Sequence, residues 1–286
     1  MKKYEMIPDR SGLFKIKATK DIPEHNVKKG DFGGLIEQEC NLSHEGSCWV
    51  FPGSKVMELA RVTEDAVISG NVLIKGHAFI GGKASVSDNV IIEDHVIITE
   101  EATISDNAHI YGHVRIRGEA TIKGLAEVYD QATVQDHALV NDQASVHGNA
   151  SICRHAIVSG CASVYGIAII AGYAKLSGSC RVCNNAFIAG MAKVSGNAVI
   201  GGNITITDHS HITGDTVINS NKDFYSVRSI SNNEYVTWLG PINKWVIDEF
   251  IGTDEEMIAR GSKISAATQY EYECFINFID KLIRKV

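Results

Sequence analysis

The sequence predicts an all-β solenoid, a chain wound into triangular coils of 18 residues, and three observations carry that prediction. From Val62 to Ile218 every sixth residue is Val, Ile or Leu, 27 positions in unbroken register, and Val50 and Val56 extend the column backwards. Two positions before most of these aliphatics stands a small residue, as at Ala60, Ala66, Ala78, Ala84 and Ala102. Two positions after them stands a turn former, as at Gly70, Gly76, Gly82, Asp88, Asp94 and Asp106. A period of six matches neither the 3.6-residue helix nor the two-residue strand, so it describes a larger unit.

Each unit reads small, variable, aliphatic, variable, then a two-residue corner such as Gly196-Asn197. Alternation places the small and aliphatic side chains on one face of a very short strand. Gly, Asn and Asp at the corner tolerate the positive φ that a sharp turn demands. One such strand cannot bury its apolar face, but three of them around a triangle point every aliphatic at a common axis. Stacked at about 4.8 Å per coil, nine coils make a prism of about 45 Å. Each enclosed aliphatic contributes roughly 1.5–3 kcal/mol of burial before chain entropy is subtracted.

The run Ala192-Lys193-Val194-Ser195-Gly196-Asn197-Ala198-Val199-Ile200-Gly201-Gly202 resembles the hexapeptide-repeat proteins, and the resemblance covers roughly residues 50–220. It implies a left-handed parallel β-helix, usually assembled as a homotrimer. The hand comes from the family, since general crossover rules predict the opposite one. The family includes acyl-CoA-dependent acyltransferases, zinc carbonic anhydrases, tails of nucleotidyltransferases and members without catalysis. The opening, with Gly33-Gly34-Leu35-Ile36 and Gly46-Ser47-Cys48-Trp49-Val50, is similar to bacterial and prophage hexapeptide proteins, which implies a phage origin and a host-cytoplasmic location.

Three segments follow: an N-terminal β cap over 1–49, the solenoid over 50–220, and a C-terminal α+β module over 221–286. In the first, Phe14–Ala18 alternates like a strand, Lys29–Gly34 reads as a turn and Leu35-Ile36 leads toward Cys48-Trp49-Val50-Phe51. A cap is needed because a solenoid end exposes strand edges and an open core. In the last, strands are expected over 223–230, 234–239 and 244–247. Thr253 and Glu256 form a capping-box pattern for a short helix ending near Gly261. A longer helix is expected from about Ser265, with Tyr272, Phe275, Phe278, Ile279, Leu282 and Ile283 on one face. This module either closes the far end of the prism or mediates association.

Composition narrows the function classes. The formal charge of −7 divides as 0, −5 and −2 over the three segments, and no basic stripe reads as a nucleic-acid footprint. No apolar run reaches membrane-spanning length, and Met1-Lys2-Lys3-Tyr4-Glu5 lacks the apolar core of a signal peptide. Seven scattered cysteines suit free thiols in a reducing compartment.

Residues 18 apart form vertical columns outside the prism, so its three walls can be read separately. One carries Ser69, Ser87, Ser105, Ser159, Ser177 and Ser195 and reads as solvated. A second carries Phe79, Ile97, Ile169 and Phe187 beside Gly81, Cys153, Ala171 and Ala189, an apolar face suited to another copy of the chain. The third carries Tyr111, Tyr129, His147 and Tyr165 beside His109 and Glu127, with His113, Arg115 and Arg117 around the adjoining corner. Arginines hold phosphate or carboxylate and tyrosines stack on rings, so His109, Tyr111, His113, Arg115, Arg117, Tyr129, His147 and Tyr165 form the expected ligand site. The bland alternative is packing across a trimer seam.

Histidines also stack at corners, as His77, His95 and His113, and as His137 and His155. Zinc is held by histidines from neighbouring chains in the family's carbonic anhydrases. Here Gln131, Asn149, Asn185 and Asn203 continue the first column, which favours a solvated corner over metal. Cys180 and Cys183 occupy inward and outward positions and do not converge on one ion.

Two main function classes remain. One is a non-catalytic trimer that holds an anionic, nucleotide-like ligand at inter-subunit clefts without a cofactor, such as a phage protein sequestering a host signalling nucleotide. The other is an acetyl-CoA-dependent acetyltransferase, with His109, His113 or His147 as the base. The repeat is unbroken, whereas those enzymes commonly insert a loop that builds the acceptor pocket. A purely structural, virion-associated role is a third possibility.

Overall fold

In the computed structural model, which describes residues 2–284, three parallel sheets wind around one axis. Each strand is two residues long and pairs with the strands 18 residues before and after it, so that Ile80, Ile98, Ile116 and Val134 lie in register. The serine face, containing Ser85–Val86 and Thr103–Ile104, has ten strands, and the apolar face, containing Phe79–Ile80 and Phe187–Ile188, has nine. The aromatic face, containing His109–Ile110 and Glu127–Val128, belongs to a sheet of thirteen. Inward aliphatics and the small residues two places before them are fully buried, for example Ala108, Ile110, Val114 and Ile116. The core is a continuous thread of side chains along the axis.

The corners explain the acidic charge. The first corner residue takes positive φ, and where it is Asp or Glu, except at Asp208 in the last of these corners, its carboxylate accepts the backbone N–H of the corner residue in the next coil. Asp106, at φ 62°, accepts from Gly124 N at 2.9 Å, and Asp94, Asp130 and Asp142 accept from Gly112, Gly148 and Gly160 at 2.9–3.0 Å. These carboxylates satisfy corner amides that the short strands leave unpaired.

The thirteen-stranded sheet is longer because the N-terminal cap joins it. Phe14–Ala18 pairs antiparallel with both Tyr4–Pro8 and Phe32–Ile36, and Phe32–Ile36 pairs in parallel with Lys55–Val56. The turn expected over Lys29–Gly34 therefore ends early, because Phe32, Gly33 and Gly34 are strand residues. The two glycines are there for lack of room: a Cβ on Gly33 would stand 2.5 Å from Val50 O, and one on Gly34 2.6 Å from Ser54 O.

At the other end a four-stranded antiparallel sheet, Phe224–Arg228, Tyr235–Leu239, Lys244–Ile247 and Phe250–Gly252, adds one strand to those expected. Leu239 and Val246 complete the solenoid core, and Thr237 Oγ1 accepts His211 N at 3.0 Å. The opposite side of the sheet, with Val236, Trp238, Trp245 and Ile247, packs on two helices. The module thus covers the end of the prism.

Helix α1, Asp254–Ile264, opens on the expected Thr253–Glu256 capping box and runs one turn beyond Gly261. Helix α2, Ala266–Ile279, buries Thr268, Tyr272, Ile276 and Ile279. Phe278 and Leu282, expected on that face, are exposed, because they lie off the stripe through 272, 276 and 279.

Two consequences are measurable. Asp106→Ala forfeits a hydrogen bond and places a Cβ-bearing, non-bonding residue at positive φ, a loss of about 2 kcal/mol in unfolding free energy. Asp106→Gly, which relieves the backbone but also loses the hydrogen bond, costs less; in denaturant titrations equal losses would refute the backbone contribution, and an Asp106→Gly variant as stable as the wild type would refute the capping role.

The second concerns pH. Glu271 accepts Ser229 Oγ, Ile230 N, Ser231 N and Ser231 Oγ at 2.6–3.0 Å. Burial pushes its carboxyl up, but these bonds outweigh burial and bring it from 4.5 down to about 2. A depressed acid stabilises the fold above its unfolded value and loses that contribution as pH falls through the folded one. The gap in thermal midpoint between the wild type and Glu271→Gln is therefore full at neutral pH and closes between about pH 4.5 and 2.

Candidate functional site

The aromatic face carries its rings as one stacked column. Tyr111 and Tyr129 lie 4.9 Å apart at centroid with 3° between planes, Tyr129 and His147 4.6 Å, and His147 and Tyr165 5.1 Å. The spacing follows directly from the strand separation, because identical positions in successive coils are forced one above another. His109 tilts against Tyr111 at 4.6 Å. The faces of the internal rings are covered by their neighbours, so the column offers edges and hydroxyls to a ligand, not free ring faces.

Acids stand beside its histidines. Glu93 sits between Lys75 Nζ at 2.8 Å and His109 Nε2 at 3.3 Å, and the Lys75 hydrogen bond foremost holds its carboxyl below the usual range. His147 Nδ1 lies 3.8 Å from Asp130 Oδ2. Burial raises the Tyr111 hydroxyl, and a hydrogen bond to Cys183 raises that of Tyr165, so both remain protonated donors.

The cations belong to another wall. Arg115 and Arg117 stand on the apolar face, separated from the tyrosines by the Gly112-His113 corner. Arg117 donates from Nε and Nη2 to Gln135 Oε1 at 2.9 and 2.6 Å, whereas the side chain of exposed Arg115 has no hydrogen-bond or ion-pair partner among the described residues. His113 ends the His77–His95–His113 stack, whose steps are 4.7 Å. Within one copy the eight residues form two groups around a corner, the aromatic column on one side and the arginines on the other.

A larger feature lies farther along the apolar face. A groove of about 1120 Å³ runs between this wall and its next corner. Cys153, Ala171 and Ala189 form its floor, Ile169 and Phe187 one side, and His155, Tyr173 and Met191 the other. It exists because the outward column shrinks from Arg117 and Gln135 to Cys153, Ala171 and Ala189, while Ile169 and Phe187 rise on one side of it and His155, Tyr173 and Met191 on the other. His137, His155 and Tyr173 stack at 4.7 Å along its rim. Ile169 is 39% exposed, Phe187 37%, Met191 51% and Tyr173 57%, an apolar strip that water covers in a single copy.

A cleft of about 370 Å³ on the serine face stacks Lys175, Lys193 and His211 beside Ser177, Ser195 and Thr213, under Asp248 and Glu249 of the C-terminal module. Burial foremost, and then Lys193, push His211 below its usual range. Tyr173, Met191 and this basic column were missed by sequence reasoning, although the same 18-residue spacing marks them. Among the described residues no group of His, Cys, Asp and Glu is arranged to hold a metal ion, and no helix is long and apolar enough to cross a membrane.

Stacking in the aromatic column is testable by itself. Tyr129→Ala opens a gap between Tyr111 and His147 and lowers unfolding stability by about 1–2 kcal/mol, whereas Tyr129→Phe preserves the stack and stays within about 0.5 kcal/mol. Equal behaviour of the two variants would show the rings to be idle. No known protein-family model matches the sequence, and comparison with curated proteins finds no match.

Proposed function

We propose that this chain is a non-catalytic, self-associating β-solenoid, a homotrimer, that holds an anionic, nucleotide-like ligand in the clefts between copies. The observation that carries the reading is the apolar strip of Ile169, Phe187, Tyr173 and Met191 along the groove, on the same wall as Arg115 and Arg117. Covering such a strip with a second copy removes apolar surface from water. It also brings the arginines toward a less hydrated cleft, where charge-assisted contacts to phosphate strengthen. The tyrosine hydroxyls and histidines of a neighbour's aromatic face supply further polar contacts. The likeness of the N-terminal segment to prophage proteins favours sequestration of a host signalling nucleotide in the cytoplasm as the biological role.

The coils keep their 18-residue period without an inserted acceptor loop, which supports binding over acetyl transfer. The histidines suited to a base are also engaged, His109 with Glu93 and Tyr111, His113 with His95, and His147 between Tyr129 and Tyr165.

Native mass spectrometry and calorimetry with a nucleotide panel test the proposal. The wild type runs as a trimer and binds without turnover; Phe187→Glu gives folded monomers, and Arg117→Ala weakens nucleotide binding at least tenfold, about 1.4 kcal/mol. A monomeric wild type, unchanged affinity in Arg117→Ala, or acetyl-CoA turnover abolished by His109→Ala or His147→Ala would overturn it.

A further inference from the structure

The N-terminal cap contains a buried pair that the binding surfaces do not use. Lys3 and Cys48 are both fully buried, and Lys3 Nζ lies 3.0 Å from Cys48 Sγ. The amine otherwise faces only the carbonyls of Glu45 at 3.3 Å and Gly46 at 3.4 Å. It makes no ion pair among the described residues, in contrast to half-buried Arg260, which meets Glu234, and Arg284, which meets Asp254. The sulfur lies 3.6–3.8 Å from the carbonyl oxygens of Ser43, Glu45 and Val62, the arrangement of a protonated thiol. A lysine in such a place loses hydration without gaining a carboxylate, an expensive position for a charged group.

We propose that Lys3 and Cys48 form a redox-made covalent staple, in which one oxygen atom bridges Lys3 Nζ and Cys48 Sγ and ties the N-terminal strand to the first coil. Burial lowers the amine, which favours its neutral, nucleophilic form, and the 3.0 Å approach holds it against the sulfur. The oxidant is dioxygen, small and apolar enough to enter a packed interior. One amine N–H, the thiol S–H and the O–O bond break, while N–O and O–S bonds form. Nitrogen and sulfur each give up two electrons; one oxygen stays in the bridge, and the other leaves as water with the two displaced hydrogens. A single bridging oxygen suits atoms already at 3.0 Å, whereas a direct N–S bond would require them to close to bonding distance. Bulky thiol reductants are excluded by the same burial. The bridge closes a loop across a separation of 45 residues, which restricts the unfolded chain and holds the cap on the open solenoid end.

Intact-mass and peptide-mapping spectrometry of the full chain, before and after prolonged incubation in oxygen-saturated buffer below its unfolding midpoint, tests the assignment. The expected product has gained one oxygen and lost two hydrogens, yields a cross-linked peptide containing Lys3 and Cys48, reverts with dithiothreitol under denaturing conditions, and unfolds at a higher temperature than the reduced protein. Lys3→Arg keeps a donor for the Glu45 and Gly46 carbonyls and Cys48→Ala keeps a small residue; neither gains the bridge. An unchanged mass, a loss of two hydrogens without added oxygen, or oxygen confined to a Cys48 peptide free of Lys3 would each overturn the proposal and leave Lys3 as a donor to carbonyls.

Discussion

Every outward feature depends on one backbone interaction, the hydrogen bond from an outward residue's N–H to the carbonyl 17 positions further along, as from Ile97 to Val114 at 2.9 Å and Thr99 to Ile116 at 3.0 Å. Because the coil length does not vary, this bond places each side chain over its counterpart in the preceding coil. Stacked positions must then suit one another, just as cross-strand neighbours must in any sheet. Asn71, Asn89 and Asn107 pass a hydrogen bond from amide to amide at 3.2 and 3.3 Å. Lys75 meets Glu93 and Lys83 meets Glu101. Rings meet rings, and corner carboxylates meet corner amides. The sequence of the outer wall is therefore governed largely by vertical compatibility before any ligand is considered.

That rule separates structural columns from surfaces with interactions to spare. The Tyr111–Tyr165 column is internally matched, and its ring faces are used up. The groove at Ala171 and Ala189 is unmatched in another sense: the floor is too small to meet the flanking side chains, so Ile169, Phe187 and Tyr173 remain uncovered. Lys175 over Lys193 is unmatched in charge. Surfaces of the second and third kinds gain more from a partner than a column already satisfied within its own chain.

The axis, the three walls and the columns were legible in the sequence because a strict period converts position directly into direction. Val62 to Ile218 needed only counting. The placement of Arg115 on a different wall from Tyr111 could be read in the same way. What counting cannot supply is the height of a side chain relative to its neighbours, and so the groove, which arises from a contrast in size between adjacent columns, was not visible as a cavity. Outside the repeat the signal was local and weaker. The Thr253–Glu256 box announced its helix, but Gly33 and Gly34 resemble turn residues until the carbonyls of Val50 and Ser54 are seen beside them. The meeting of Lys3 with Cys48 across the cap has no periodic signature at all.

The ends carry a disproportionate share of the structural problem. Within the prism each coil is supported by similar coils above and below, so its energetic environment is nearly constant along the axis. A terminal coil has one such neighbour and an exposed edge. At the beginning the problem is met by antiparallel strands that continue the aromatic-face sheet and by Trp49 and Val50, both fully buried in the first coil, with Val50 on the axis and Trp49 on the outer side of its strand. At the end it is met by a sheet whose two sides do different work, Leu239 and Val246 finishing the solenoid core while Trp238 and Trp245 build a separate one with α1 and α2. Fraying must therefore begin by detaching one of these caps, since opening a central coil would expose two interfaces at once. A hold on a cap acts on the whole array through that boundary: Lys3–Cys48 joins the N-terminal strand to the first coil, whereas Glu271 ties α2 to the turn after Phe224–Arg228 and so firms the closing module itself.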